Sequence, residues 1–284
     1  MKKQRVFVIG GPTASGKSGL AIQLAQEIDG CIVNGDAIQV YQDLQVLSAR
    51  PSAEDIKKVP HYLFGHVDAW TNYSLADWLN EVAPVIPNLK NPIVVGGTGM
   101  YLDALVNGVH AIPDIDPEIR KKVRQMSLEE VRSQMKDYPF QDPQRLRRAL
   151  EVRLSTGHDL MYYYERPKRK IIDSKIILIH ILPEREKVYE SCAKRFDIMK
   201  KMGAINEVAH LNKIKASGGV LKAIGVPEIK EFLSGRLSES EMTNKVVIAT
   251  RQYAKRQMTW FRHHGTPQYV IEDPLNVKIK EITK

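Results

Sequence analysis

A glycine-rich segment near the amino terminus places the strongest constraint on the fold of this chain. Residues 11–18 read Gly-Pro-Thr-Ala-Ser-Gly-Lys-Ser, which matches the phosphate-binding pattern G-x-x-x-x-G-K-[ST]. An apolar run at 6–9 precedes the segment, and apolar residues at helical spacing follow it at 20–27. The alternative is an ordinary Gly/Ser turn that matches the pattern by chance, but such a turn does not require a strand before it and a helix after it. The order strand, loop, helix therefore predicts an α/β protein that binds phosphate groups.

The residues of this segment predict how the phosphate groups are held. Gly11 and Gly16 allow a tight turn that directs successive N–H groups at one anion, and the following helix adds its positive end. Lys17 would supply a mobile charge, and the Ser18 hydroxyl a ligand for Mg²⁺. We predict that a diphosphate or nucleotide binds at Gly11, Pro12, Thr13, Ala14, Ser15, Gly16, Lys17 and Ser18.

Composition and charge restrict the class of protein. The chain has 284 residues, of which 43% are hydrophobic and 26% charged, as in globular proteins with a full core and a second small domain. No apolar run approaches the ~20 residues of a membrane span, and the apolar run after the basic start is too short for a signal peptide. Two distant cysteines, Cys31 and Cys192, fit a reducing cytoplasm better than a disulfide or a zinc site. The net charge of +9 favours a polyanionic partner such as nucleic acid.

Two further apolar runs predict strands that lead into chemically active residues. Residues 31–34 lead into Gly35 and Asp36, and residues 92–95 lead into Gly-Gly-Thr-Gly, which contains Thr98. The carboxyl ends of parallel strands meet at one edge of a sheet, where such proteins bind their ligands. We therefore expect the carboxylate and the threonine to lie beside the phosphate-binding segment.

A change in composition predicts two domains. Residues 112–117 read Ile-Pro-Asp-Ile-Asp-Pro, which is typical of a hinge, and residues 117–170 carry 14 Lys/Arg against 8 Asp/Glu. We predict a P-loop NTPase-like core, a parallel sheet flanked by helices, over 1–112 and 171–284. A small, helical and basic insertion domain is predicted over 113–170.

Seven motifs occur in an order that is typical of one family. They lie at 11–18, 36–41, 73–77, 92–99, 144–151, 223–225 and 250–260. With these motifs the chain resembles the bacterial tRNA dimethylallyltransferases, also called isopentenyl-diphosphate:tRNA transferases, from about residue 5 to residue 263. Many families share the phosphate-binding pattern, whereas the Gly-Gly-Thr-Gly turn and the Arg-Gln-Tyr-Ala-Lys-Arg-Gln segment are specific to this one.

The resemblance implies an enzyme that moves a dimethylallyl group from dimethylallyl diphosphate to N6 of the adenosine 3′ of the anticodon in tRNA. Diphosphate would leave with the help of Mg²⁺, and nothing in the sequence requires more than a monomer. The implied catalytic residues are Asp36, Thr98 and Arg195. Asp36 matches the general base, which would accept a proton from the weakly nucleophilic amine. Arg195 would help to neutralise the leaving diphosphate.

The resemblance also implies a surface for tRNA. The implied contacts are at Asp36, Ala37, Ile38, Gln39, Thr98, Arg120, Gln144, Arg145, Leu146, Arg147 and Arg148. The adenine must leave its stack to react, so the site is expected to be a channel that a flipped base enters. Arginines of the insertion would pair with backbone phosphates or stack on bases.

The chain departs from the family pattern in three places. Ala37 replaces the serine that usually follows the catalytic aspartate, which removes a hydroxyl group beside the base. Residues 46–51 read Val-Leu-Ser-Ala-Arg-Pro where the family has Ile-Gly-Thr-Ala-Lys-Pro, and the insertion is shorter between 131 and 142. We expect activity to remain, with a smaller contact on the anticodon stem-loop or a changed preference among tRNAs.

Two other classes of protein share part of this pattern. A small-molecule or nucleotide kinase would share the loop and the sheet, but the strand at 92–95 ends in Gly-Gly-Thr where NTPases place an aspartate for magnesium. A non-catalytic RNA-binding P-loop protein would explain the charge and leave Asp36 without a role. Single residues also have structural alternatives: Asp36 as a loop cap, Arg195 in a surface ion pair and Thr98 as a helix N-cap.

Overall fold

A computed structural model describes residues 3–283 of the chain. Helices alternate with short strands up to Gly96, and runs of consecutive helices separate the later strands. The strands are β1 (Arg5–Gly10), β2 (Cys31–Asn34), β3 (His61–Tyr62), β4 (Pro92–Gly96), β5 (Lys175–Ile181) and β6 (Tyr269–Ile271). The α-helices are α1 (Lys17–Ile28), α2 (Ala53–Lys58), α3 (Leu75–Val85), α4 (Gly99–Asn107), α5 (Pro117–Gln125), α6 (Leu128–Gln134), α7 (Pro143–Thr156), α8 (Leu160–Tyr164), α9 (Arg185–Lys201), α10 (Ala204–Lys213), α11 (Val226–Leu233), α12 (Glu239–His263) and α13 (Ile279–Thr283).

The described chain divides into two compact units. The core unit comprises the residues up to Val106 and from Ile171 onward, and the helical unit is Asn107–Lys170. The helical unit thus begins at Asn107, whereas the sequence placed the boundary at residue 113.

The strands of the core unit form one parallel sheet in the order β3-β2-β4-β1-β5-β6. The register places Phe7 of β1 between Ile93 of β4 and Ile177 of β5. Parallel neighbours need crossover connections, and helices supply them here. The parallel α/β prediction is confirmed. The two edge strands, β3 and β6, were not predicted, because two and three residues are too few to show a hydrophobic period.

The apolar face of α1 fixes the segment between β1 and α1. Leu20 and Leu24 of this helix pack against Phe7 and Ile9 of β1, and all four side chains are almost completely buried. Burial of side chains of this size stabilises a fold by about 1.5–3 kcal/mol each. The loop that joins the two elements is therefore held at both ends.

A second hydrophobic cluster fixes the loop that follows β2. Tyr41 of this loop is buried with Val208 of α10 and Val226 of α11. The Glu207 carboxylate accepts hydrogen bonds, with N···O distances of 2.7–2.9 Å, from the backbone N–H groups of Gln45, Val46 and Leu47. Arg50, within the segment that departs from the family pattern, donates to the Tyr41 carbonyl at 2.9 Å. These bonds hold the chain beside Asp36 in one conformation.

The helical unit is built from α5 to α8 around its own core. Val123 and Val131 are fully buried there with Leu146 and Leu150. At the ends of the unit, Val109 and Arg169 exchange two backbone hydrogen bonds of 3.1 and 2.8 Å. Within residues 3–283 no helix has both the length and the apolar character needed to cross a membrane.

Candidate active site

The phosphate loop, residues 11–18, lies at the carboxyl end of β1 and runs into the first turn of α1. Gly16 has a φ of +83°, a left-handed conformation that favours glycine. A Cβ atom at Gly11 would lie 2.7 Å from the Ile181 carbonyl oxygen, so the close approach of β5 also requires glycine there. The hydroxyl of Ser15 is buried and has no hydrogen-bond partner among the described residues. The loop therefore has a strand–loop–helix geometry that suits an anion at the N-terminus of α1.

Two cationic side chains lie beside this loop. The Lys17 ammonium donates to the Pro12 carbonyl at 3.0 Å. Its removal from water lowers its pKa to about 8, an effect that Asp36 opposes and that Arg195 reinforces. Arg195 of α9 donates to the Thr13 hydroxyl, and burial lowers the pKa of this guanidinium as well. The structure thus brings Arg195 to the phosphate loop from 182 residues away in the sequence.

Asp36 follows β2 and belongs to the same edge of the sheet. Its Oδ1 accepts a 3.0 Å hydrogen bond from the Ile38 N–H, which is the loop-cap role considered from the sequence. Among the described residues, its Oδ2 accepts one hydrogen bond, a long one of 3.4 Å from the Gly97 N–H. The Trp78 indole donates to the Asn34 carbonyl at 2.8 Å and fixes the end of β2. One carboxylate oxygen therefore holds the loop while the other retains capacity to accept a proton.

Thr98 links the ends of β2 and β4. Its Oγ1 accepts a 3.1 Å hydrogen bond from the Ala37 N–H, and Tyr253 lines the same cavity as Thr98. The carbonyl of Thr98 accepts the N–H groups of Tyr101 and Leu102, the first bonds of α4. Thr98 thus begins α4 through its backbone and uses its side chain to join the two loops.

A cavity of about 360 Å³ opens beside these groups. Thr13, Thr98 and Arg195 supply polar groups to its lining, which also includes Ala37 and Ile38. The apolar part of its lining includes Cys192, Phe196, Met199, Ile224 and Val246. Burial in this lining raises the pKa of the Cys192 thiol. The cavity suits a ligand with one anionic end and one small apolar end.

Ser18 and Gln39 do not line this cavity. They line a separate cavity of about 70 Å³ with Arg50 and Asp55. The Gln39 amide donates two 3.0 Å hydrogen bonds to backbone carbonyls, those of Ser48 and Ala49. Gln39 therefore holds the loop after β2, and its contact with the target nucleotide remains a prediction.

The other residues predicted to contact tRNA differ in exposure. Arg120 of α5 and Arg145 of α7 are exposed, as is Gln144. Leu146 is only 1% exposed and belongs to the core of the helical unit. Arg147 donates to the Met126 carbonyl at 2.8 Å and to the Val123 carbonyl. The Arg148 Nη1 atom lies 3.5 Å from the Glu151 Oε2 atom, in an ion pair within α7. The side chains of Leu146 and Arg147 thus have structural roles, and the exposed ones are better placed for a ligand.

Two polar residues of α12, Tyr253 and Gln257, were not predicted from the sequence to belong to the site. Tyr253 lines the cavity, and burial raises its pKa well above the usual range. Gln257 is 5% exposed and contacts both the phosphate loop and the turn after β4. Gln257 lies on the buried stripe of the helix with Val246, Ala254 and Phe261, and Tyr253 is half-buried. Polar side chains at core positions of a helix were the signal that could have identified them.

Fold and site together define a P-loop α/β protein. Two partly desolvated cations and a carboxylate lie at one edge of its sheet, and one of the cations, Arg195, lines a largely apolar cavity. The profile of the IPP transferase family matches residues 39–264, and that of the isopentenyl transferases matches residues 4–64. Since the first match covers more than half of the sequence, the chain belongs to the IPP transferase family.

Relatives and solved structures agree with this assignment. The chain is 41% identical to the tRNA dimethylallyltransferase of Rhizobium etli over 279 residues, which cover 92% of this chain and 94% of the relative. It is 42% identical to that of Zymomonas mobilis, with 98% and 94% covered. The tRNA isopentenylpyrophosphate transferase of Bacillus halodurans superposes with a TM-score of 0.72 at 26% identity, over 99% and 94% of the two chains. A eukaryotic dimethylallyltransferase acting on tRNA gives a TM-score of 0.78 at 26% identity, over 91% and 70%.

Proposed function

We propose that this chain transfers a dimethylallyl group from dimethylallyl diphosphate to N6 of the adenosine 3′ of the anticodon in tRNA. One observation carries the proposal: Thr13 of the phosphate loop and Arg195 line the same cavity as Phe196, Met199 and Val246. An allylic diphosphate has the matching shape, with a charged head and a five-carbon apolar tail. The relatives named above, all called transferases of this kind, support the same substrate pair.

The leaving group is the diphosphate. Breaking the allylic C–O bond leaves its electron pair on the diphosphate oxygen, so negative charge develops there. Lys17, Arg195 and the N–H groups of the phosphate loop surround that end of the site. The buried hydroxyl of Ser15, which has no other partner among the described residues, is a further donor for the phosphate oxygens.

The nucleophile is the N6 amine of adenine, which forms a bond to the same allylic carbon and loses one proton. Asp36 is the carboxylate at this edge of the sheet that we assign as the proton acceptor, through Oδ2, since Oδ1 is bonded to the Ile38 N–H. General bases contribute about 10²–10⁴-fold to such reactions. Thr98 holds the neighbouring N–H of Ala37 and so fixes the loop that carries the base.

We also propose Mg²⁺ as the divalent metal. Among residues 3–283, no group of three or more His, Cys, Asp or Glu side chains could hold a metal ion, so the protein does not enclose the metal alone. Mg²⁺ commonly keeps several waters and binds through few protein oxygens and substrate phosphates. The Ser18 hydroxyl at the start of α1 fits as such a ligand. When bound, the metal would neutralise charge on the diphosphate.

The helical unit is the proposed contact for the anticodon stem-loop. Its exposed Arg120, Gln144 and Arg145 can reach an external ligand, and the unit carries much of the positive charge of the chain. Contacts of arginine with phosphates position RNA without reading its sequence. A tRNA substrate also favours a cytoplasmic location, and we propose that the enzyme acts as a monomer.

The test is the transfer of radiolabelled dimethylallyl from its diphosphate to unmodified tRNA, with and without Mg²⁺, and beside an ATPase assay. The Asp36→Asn variant retains an oxygen for the Ile38 N–H and loses the proton acceptor. We expect it to fold and to bind diphosphate normally, with transfer lowered by about 10²–10⁴-fold. Normal transfer by this variant would leave only the loop-cap role for Asp36. ATP consumption without label in tRNA would favour a kinase, and tRNA binding without either reaction would favour a non-catalytic protein.

A further inference from the structure

A buried glutamine on α12 connects two loops of the site. The Gln257 Oε1 accepts a 2.8 Å hydrogen bond from the Thr13 N–H of the phosphate loop. Its Nε2 donates a 2.8 Å hydrogen bond to the Gly97 carbonyl, in the turn that follows β4. The Thr13 N–H can only donate and the Gly97 carbonyl can only accept, so these two partners determine which way the amide is oriented. One side chain therefore satisfies a partly buried donor and a buried acceptor that belong to different loops.

The turn after β4 is shaped around this amide. A Cβ atom at Gly97 would lie 2.3 Å from the Gln257 Nε2 atom, so no other residue fits there while the amide keeps its place. Tyr253, one helical turn earlier on α12, lines the cavity with Thr98. The amide is therefore carried by α12 and held by the two loops.

Each end of this connection leads to a residue of the proposed chemistry. The Gly97 N–H points at the Asp36 Oδ2 atom at 3.4 Å. The hydroxyl of Thr13 receives a hydrogen bond from Arg195. Gln257 itself does not line the cavity. It can thus act on the reaction only by setting where the base and the phosphate loop lie relative to each other.

We propose that Gln257 is a positioning residue that sets the distance between the phosphate loop and the turn beside Asp36. This inference rests on the proposed transferase function for its kinetic consequences, and on the two hydrogen bonds for its effect on the loop. The allylic carbon must lie between the leaving diphosphate and the attacking amine. A displacement of about 1 Å in such a geometry can cost about 10²-fold in rate.

Two substitutions separate positioning from simple packing. Gln257→Met keeps the length of the side chain and removes both hydrogen bonds. Gln257→Glu can replace them only when protonated, because the neutral carboxyl group accepts from the Thr13 N–H and donates to the Gly97 carbonyl. Burial of the new carboxyl group raises its pKa, so the protonated form should become more populated as the pH is lowered.

A stability control is needed because the Met variant leaves a partly buried donor and a buried acceptor unpaired. Met242→Ala creates a cavity on the same helix, at a fully buried position that does not line the site. It should lower the melting temperature while the folded enzyme keeps the kcat of the wild type. Assays are run well below the melting temperature of each variant.

We expect kcat of the Gln257→Met variant to fall by about 10²-fold, with KM for tRNA changed by less than about twofold because Gln257 is buried. Its Kd for inorganic diphosphate, measured by calorimetry without tRNA, should rise by about tenfold. The Gln257→Glu variant should regain activity, relative to the wild type, as the pH falls, and the Met variant should not.

Several results would overturn the inference. They are a Met variant with normal kcat and normal diphosphate affinity, a loss confined to KM for tRNA, and a Met242→Ala variant with the same loss of kcat. If the wild-type protein transfers no dimethylallyl group, the proposed function fails on its own, and the diphosphate affinity of the Met variant still decides whether Gln257 positions the loop.

Discussion

Arg195 offers the sharpest quantitative test of the site. Its guanidinium donates to the hydroxyl of Thr13 and lines the polar side of the cavity. Burial, the largest influence on this group, lowers its pKa, which means that the charge is partly withdrawn from water. We propose to replace Arg195 with methionine, which keeps most of the apolar stem and removes the charge and the donors.

The expected loss depends on which role Arg195 has. A surface ion pair, the alternative considered from the sequence, is worth about 0–1 kcal/mol, or less than about fivefold in rate. A donor held in place for charge that develops on a leaving group is worth about 2.7–4 kcal/mol, or about 10²–10³-fold in kcat. Because the guanidinium is desolvated and lies against the phosphate loop, we expect the larger value. Arg195→Lys keeps the charge without the planar donor geometry, so its loss should be intermediate.

The assay is single-turnover transfer of labelled dimethylallyl to tRNA at saturating concentrations of both substrates, which isolates the chemical step from binding. Lys194 provides a matched control, since it is the preceding residue of α9 and is exposed. Lys194→Met removes one positive charge from the same helix and should change the rate by less than about twofold. A loss below about fivefold for Arg195→Met, or an equal loss for Lys194→Met, would refute the reasoning.

Two further predictions concern the helical unit and acid stability. Arg145→Glu should raise KM for tRNA. In salt titrations, the slope of log affinity for tRNA against log salt concentration should decrease by about one, the value for one phosphate contact. Arg147→Glu should instead lower the melting temperature, because this guanidinium donates to two backbone carbonyls within the unit. Burial lowers the pKa of His180, which hydrogen-bonds the Phe261 carbonyl. Below the usual histidine pKa of about 6.5, the unfolded chain binds a proton that the folded chain does not. The free energy of unfolding should therefore decrease as the pH is lowered, by up to about 1.4 kcal/mol per pH unit. His180→Gln should weaken this loss in urea unfolding at acidic pH.

Each of these has a result that would contradict it. Equal effects of Arg145→Glu and Arg147→Glu on tRNA KM at unchanged stability would place both side chains on the RNA surface. An identical decline of stability with pH in the wild type and the His180→Gln variant would assign the acid sensitivity to other groups.

The parts of the site that could be predicted from the sequence are those built by local chain geometry. The phosphate loop follows from eight consecutive residues between a strand and a helix. Asp36 and Thr98 were expected beside it because both directly follow buried parallel strands, and parallel strands end at one edge. The predicted strand at 31–34 has the observed bounds.

Contacts between residues that lie far apart in the sequence were harder to predict. Leu146 and Arg147 sit inside a motif that the resemblance implies for tRNA, yet one is buried and the other bonds to the backbone of its own unit. The sequence places Gln257 in the motif at 250–260 but predicts no role for its side chain. Its role depends on two partners that lie 244 and 160 residues away.

The sequence by itself determined the class of fold, the phosphate loop, the family and the residues that follow the strands, because these depend on short-range patterns of apolar, glycine and charged residues. The tertiary structure decided which distant side chains reach that loop. Arg195 and Gln257 arrive there through the packing of α9 and α12 against the sheet, and Phe196, Met199 and Val246 complete the apolar side of the cavity by the same packing. Such contacts result from the burial of whole helix faces, which no local pattern specifies residue by residue.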